Sequence, residues 1–140
     1  MQDDQIIQLN IPADFKYLNV VGACLTAILQ HEEDLPTRDI VTTGVELAVH
    51  ETCINIIEHA YAGAMGRITL SIQILNDPHR LEVKINDQGS PFVLPEIQSP
   101  QVEGDIQIRG YGLFLVHELM DQVVYMPKSG NNTWHLIKKL

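Results

Sequence analysis

The sequence predicts an α+β fold: a two-layer sandwich in which a mostly antiparallel mixed sheet is covered on one face by helices. Two adjoining stretches, 67–75 (RITLSIQIL) and 80–87 (RLEVKIND), alternate apolar and polar residues, the period of strands buried on one face. Longer stretches before and after them repeat apolar residues at helical spacing instead. With 140 residues, 45% apolar and 19% charged, the chain has enough apolar surface for one core and too little length for two, so residues 1–140 are expected to form a single domain.

The elements follow in order. QIIQLNI (5–11) reads as a first strand ended by Pro12, and Phe15, Leu18, Val21, Leu25, Ile28 and Leu29 then place a helix over 13–30. Pro36 opens a second helix, because a first helical turn tolerates the missing N–H, and its pattern runs to Tyr61 before Gly63 and Gly66. The two alternating strands come next, joined by the turn-forming NDPH as an antiparallel hairpin. Residues 90–108 carry three prolines and no sustained period, as expected of a functional loop. After it come a glycine-led helix, a strand at QVVYM (122–126), a turn at SGNN and a last strand at TWHLIK (133–138).

Charge and composition exclude several function classes. A net charge of −9 with nine Lys and Arg residues disfavours nucleic acid as a partner, since that binding rests on neutralising phosphates. Any anionic ligand must be held locally, by backbone N–H groups or a metal. Cys24 and Cys53 lie in apolar runs, which suits free buried thiols in a reducing compartment and places the chain in the cytoplasm. The N-terminus carries no signal-like pattern and the longest apolar stretch of the first helix is too short for a bilayer, so no membrane partner is expected.

Three short stretches could carry chemistry. On the second helix Glu51 and Asn55 are four residues apart and share a face, with Glu58 on the same side; that face is equally readable as a solvated one. HETCI starts like a zinc-protease HExxH helix, but Ile54 replaces the second histidine and removes that function. In KINDQGSPF, Asp87 ends a strand beside Gly89; this is either a plain turn or a carboxylate placed to accept from an exocyclic amine such as adenine's. In RGYGLFLVHELMD, Gly110 and Gly112 precede a helical run. A helix N-terminus offers unpaired N–H groups and partial positive charge, and glycines let phosphates approach it, with Arg109 as an added cation. A GxG alone is also an ordinary loop-to-helix connection.

Taken in order, these stretches resemble the GHKL superfamily of ATP-binding domains, with its histidine kinase-like ATPase fold, and within it the bacterial anti-sigma-factor serine/threonine kinase branch. ELAVHETCINIIEHAY is similar to that branch's N box, INDQGSPF to its first glycine box and RGYGLFLVHELMDQVVY to its second, over nearly the whole chain. The resemblance implies Glu51 as catalytic base and Asn55 as the ligand of Mg²⁺ bridging the ATP phosphates. It implies Asp87 at the adenine amino group, Gly89 admitting the base, and Arg109, Gly110, Tyr111 and Gly112 at the phosphates, with Leu113 packed behind. It further implies an ATP lid over about 88–109, a sigma factor or similar target, an anti-anti-sigma antagonist protein as substrate, and a possible homodimer.

One departure stands out: Ser90 and Pro91 follow Gly89 where the family commonly has a second glycine, and proline fixes its own φ. Two functions therefore compete. One is an ATP-dependent kinase in a transcription-regulating partner switch; the other is an ATP-binding switch module that sequesters a partner with little transfer activity. A histidine kinase core is disfavoured, because the chain has no room for a phosphoacceptor helix pair.

Overall fold

The computed structural model describes residues 5–33, 35–91 and 108–140, with the backbone alone for 108–111. The chain order is β1 (Ile7–Pro12), a 3₁₀ turn (Phe15–Tyr17), α1 (Leu18–Gln30), α2 (Arg38–Asn55), a π turn (Ile56–Ala60), β2 (Arg67–Leu75), β3 (Arg80–Asp87), α3 (Ile108–Leu119), β4 (Gln122–Met126) and β5 (Asn132–Lys139). The strands form one sheet in the order β1-β2-β3-β5-β4, and all four pairings are antiparallel. The two-layer α+β expectation holds, and no parallel pair occurs among the described residues.

The period-2 alternation determines which side of the sheet is dry. Ile68, Leu70 and Ile72 of β2, Leu81, Val83 and Ile85 of β3, and Trp134 and Leu136 of β5 are buried on the helix-covered face. Thr69, Ser71, Glu82 and Lys84 alternate with them on the other face. Each fully buried Leu or Ile contributes roughly 1.5–3 kcal/mol of transfer free energy, so this face supplies much of the driving force. Trp134 sits with its ring centroid 4.5 Å from that of Tyr125 on the adjacent β4.

The helices complete the core. α2 packs against both α1 and α3. With its π turn it is long and apolar enough, by length and composition, to cross a membrane. Its apolar residues Val45, Ala48, Val49 and Cys53 are instead core residues of this domain. Both cysteines are free; Cys53 is wholly buried, and burial pushes its thiol up to about 12. Cys24 is only partly buried, short of the expected full burial.

Helix boundaries differ from the sequence expectation in three places. The first helix begins at Leu18 rather than 13, because the Ala13 N–H donates to Gly66 O and the Asp14 side chain accepts from the Lys16 N–H in a 3₁₀ turn. The second begins at Arg38, two residues beyond Pro36, and closes with the π turn, in which the Tyr61 N–H donates to Ile56 O at 3.0 Å. The third begins at Ile108, so Gly110 and Gly112 lie within its first five residues rather than ahead of it, and the last two residues of the lid expected over about 88–109 are helical. Residues 92–107 of that lid lie outside the described residues.

Candidate functional site

The site forms where α2 meets α3 and the ends of β3 and β5. Glu51 and Asn55 are separated by one helical turn, about 6 Å of rise. Glu51 is half-buried and Asn55 is buried at 7% exposure, which removes the reading of that face as solvated surface. Glu58, expected on the same side, lies within the π turn and is exposed. Thr52, between them, donates its hydroxyl to Ala48 O at 2.8 Å, so its own polarity is satisfied within the helix.

Two close approaches position these groups. A Cβ on Gly112 would stand 2.8 Å from Glu51 Oε2, so the carboxylate lies directly against the early backbone of α3. Among the described residues Glu51 has no ion-pair or hydrogen-bond partner. The second approach is at Gly89, where a Cβ would lie 2.6 Å from the carbonyl carbon and oxygen of Ala60. The Ser90 N–H donates to that same oxygen at 2.8 Å. The resemblance implies that Gly89 admits a base; what the structure shows is that it lets the chain after β3 lie on the π turn.

Asp87 is 1% exposed. Its Oδ1 accepts from the Gly89 N–H at 2.9 Å and from Asn132 Nδ2 at 3.0 Å, and Asn132 Nδ2 also donates to Gly89 O at 2.9 Å. Asp87 and Asn132 are direct cross-strand partners in the β3–β5 ladder. Oδ2 has no partner among the described residues. A buried carboxylate with one oxygen fixed and the other open is an oriented acceptor.

Polar atoms left unpaired in dry surroundings cost about 1–3 kcal/mol each, so each one calls for an explanation. Asn55 Nδ2 and Asn132 Oδ1 are both buried and without hydrogen-bond partners among the described residues. They lie at the two ends of the site, one beside Glu51 and the other beside Asp87. Among the described residues no group of three or more His, Cys, Asp or Glu side chains could hold a metal ion. A divalent cation here would thus take most of its ligands from phosphates and water, as Mg²⁺ commonly does, with Asn55 as the protein's contribution. The residues present fit a nucleotide with its metal.

Leu113 is a core residue. Arg109, Gly110 and Tyr111 fall in the first turn of α3, where the leading N–H groups have no helical acceptor; nothing further is described of their side chains. The model of the histidine kinase-like ATPase domain matches residues 11–138.

The chain belongs to the histidine kinase-like ATPase family.

Members of this family with curated names are similar over most of their length. A serine-protein kinase RsbW from Halalkalibacterium halodurans is 30% identical over 135 residues, covering 90% of this chain and 78% of that one. A serine-protein kinase RsbW from Bacillus mycoides is 27% identical over 137 residues, covering 93% and 82%. Among solved structures, the RsbU and RsbW domains of a Mycobacterium tuberculosis protein superpose with a TM-score of 0.67 at 19% identity, over 96% of this chain and 32% of that one. The histidine kinase domain of a blue-light activated kinase from Erythrobacter litoralis superposes at 0.55, again at 19% identity, over 93% and 62%. These two share their fold with this chain; the family match over residues 11–138 bears out the superfamily resemblance drawn from the three boxes.

Two residues of the site were not singled out in the sequence. Asn132 lies in what read as turn chemistry, SGNN, and its role depends on the β3–β5 register. Tyr61 read as the end of a helix, although it bonds to both flanking segments of the sheet.

Proposed function

We propose that this protein is an ATP-dependent serine/threonine protein kinase that also sequesters a sigma factor or similar regulatory target, and that it phosphorylates a small antagonist protein to end its own displacement. One observation carries the reading: the Glu51 carboxylate, without a partner among the described residues, rests against α3 at Gly112 with the buried amide of Asn55 one turn further on. Acid, amide and helix N-terminus are what phosphoryl transfer asks of a protein, which has positioning and charge stabilisation to do and little covalent chemistry.

In this reading Glu51 takes the proton of the substrate hydroxyl at a carboxylate oxygen. The N–H groups of the first turn of α3 orient and stabilise anionic oxygens, with Gly110 and Gly112 permitting close approach and Arg109 adding charge. Asn55 would hold a metal through its side-chain carbonyl oxygen, Oδ1. Asp87 accepts from an exocyclic amine through Oδ2, which selects adenine. When bound, ATP supplies the phosphoryl group and Mg²⁺ spreads its developing charge. The local N–H groups and metal also overcome the repulsion that a net charge of −9 presents to any polyphosphate.

The departure at Ser90–Pro91 favours a second reading, a nucleotide-gated binding module without transfer. The Ser90 N–H bond to Ala60 weighs against it, since that bond holds the segment on the π turn without a second glycine. Free cysteines fit the cytoplasm, where such a switch operates. Incubation with γ-labelled ATP, Mg²⁺ and the antagonist protein separates the two: label on a serine or threonine of the antagonist supports the kinase, and bound nucleotide without transfer supports the module. Light scattering checks the homodimer that belongs to the same reading.

A further inference from the structure

Three consecutive amides follow Asp87 or its neighbour, and each is engaged. The Gln88 N–H donates to Tyr61 Oη at 2.9 Å, the Gly89 N–H to Asp87 Oδ1 at 2.9 Å and the Ser90 N–H to Ala60 O at 2.8 Å. The middle bond orients the carboxylate, and the outer two go to the end of the π turn that begins immediately after Asn55. Tyr61 is the hub of this arrangement. Its hydroxyl accepts from Gln88 and donates to Arg67 O at 2.6 Å, so one phenol ties the strand leaving the site to the start of β2. A hydroxyl that donates and accepts at once is polarised in both bonds.

The surroundings of the ring are built to fit. A Cβ on Gly66 would lie 2.3–2.6 Å from ring atoms of Tyr61, so only glycine admits the ring in this orientation. Arg67, whose carbonyl receives the hydroxyl, bonds Asn10 of β1 through Nε at 2.7 Å and Nη2 at 3.1 Å. Its neighbour Gly66 accepts from the Ala13 N–H at 2.8 Å. The acceptor is therefore anchored through two further segments.

We infer that Tyr61 is a positioning residue for nucleotide binding: its hydroxyl fixes the Gln88–Gly89 backbone, and through it the Asp87 carboxylate, at a set separation from Asn55. This inference rests on the reading of Asp87 and Asn55 as nucleotide contacts. The two stand on different elements, β3 and α2, and a ligand that touches both binds well only when their spacing is held in advance. The π turn and Tyr61 join those elements at the point nearest the site.

The test is Tyr61→Phe, which keeps the ring over Gly66 and removes only the oxygen. Loss of the hydroxyl's bonds to the Gln88 N–H and to Arg67 O predicts ADP affinity weaker by about three- to tenfold. The KM for ATP rises by the same factor while kcat at saturating ATP stays within about twofold, because Glu51 is untouched. In the absence of nucleotide the Gln88 amide exchanges with solvent faster in the variant than in the wild type. Gly66→Ala, which displaces the ring instead of the hydroxyl, gives the same pattern. Wild-type protein that binds ADP, with Tyr61→Phe binding equally tightly, overturns the role of Tyr61 and leaves the nucleotide reading intact. Wild-type protein that binds no ADP overturns that reading and this inference with it. A variant with lower thermal stability, unchanged affinity and unchanged KM has only a structural tyrosine, and the inference fails.

Discussion

Glu51 of α2 and Gly112 of α3 are in contact: the carboxylate Oε2 occupies the space a side chain on Gly112 would fill, 2.8 Å from the position of its Cβ. Two helices meet here at a charged group rather than an apolar one. Gly112→Ala separates function from stability. The added methyl displaces a flexible carboxylate, at small structural cost, while alanine is favoured in a helix by about 1 kcal/mol. The expected outcome is a thermal midpoint unchanged or raised, with phosphoryl transfer lowered about ten- to a hundredfold because the base has moved. Calorimetry and the labelled-ATP assay measure the two.

Glu51→Ala removes the base outright. Transfer should fall by roughly 10²- to 10⁴-fold with nucleotide affinity nearly unchanged. Unchanged turnover in this variant rules Glu51 out as base.

The sheet was legible in the sequence because its signal is local. Ile68, Leu70 and Ile72 alternate with Thr69 and Ser71, and the same rule reads β3. Glu51 and Asn55 were legible as a pair because helical spacing alone puts them on one face. The Asp87–Asn132 bond was not, since it depends on which strand lies beside β3, and β5 arrives 45 residues later after α3 and β4. The start of α3 was misplaced for a physical reason. Gly110 and Gly112 are poor helix formers and read as a boundary, yet they sit inside the helix, and at Gly112 the need to admit Glu51 outweighs helix propensity. Tyr61 escaped notice because a π turn has no sequence period of its own.

Gly89→Ala tests the contact between the site and the π turn. Its methyl would meet the Ala60 backbone, which cannot rotate away as a side chain can. The expected cost is about 1–3 kcal/mol of stability in denaturant titration, together with loss of nucleotide binding.

The outer face of the sheet carries a pH dependence independent of the site. Glu82 accepts from His135 Nε2 at 2.6 Å and from Arg80 Nε at 2.7 Å. Partial burial alone would raise its carboxyl, but the hydrogen bonds from His135 and Arg80, with their charges, outweigh burial and hold it below the usual carboxylate value of 4.5. A carboxylate depressed in the folded state stabilises above its unfolded value, and that contribution is lost as pH falls through the folded value. Wild type should exceed Glu82→Gln by about 0.5–1 kcal/mol at pH 6, with a smaller gap at pH 3. Parallel unfolding curves at the two pH values give the comparison.

The central claim is a nucleotide site between Asn55, Asp87 and the start of α3, and the most direct measurement is the thermal midpoint with ADP or ATP, with and without Mg²⁺. Ligand at a hundred times its dissociation constant stabilises the folded state by about 2.7 kcal/mol, a rise of roughly 5–10 °C for a domain of this size. The account predicts that rise with adenine nucleotides and a larger one when Mg²⁺ is present. A midpoint that ignores every nucleotide in protein that is otherwise folded contradicts it.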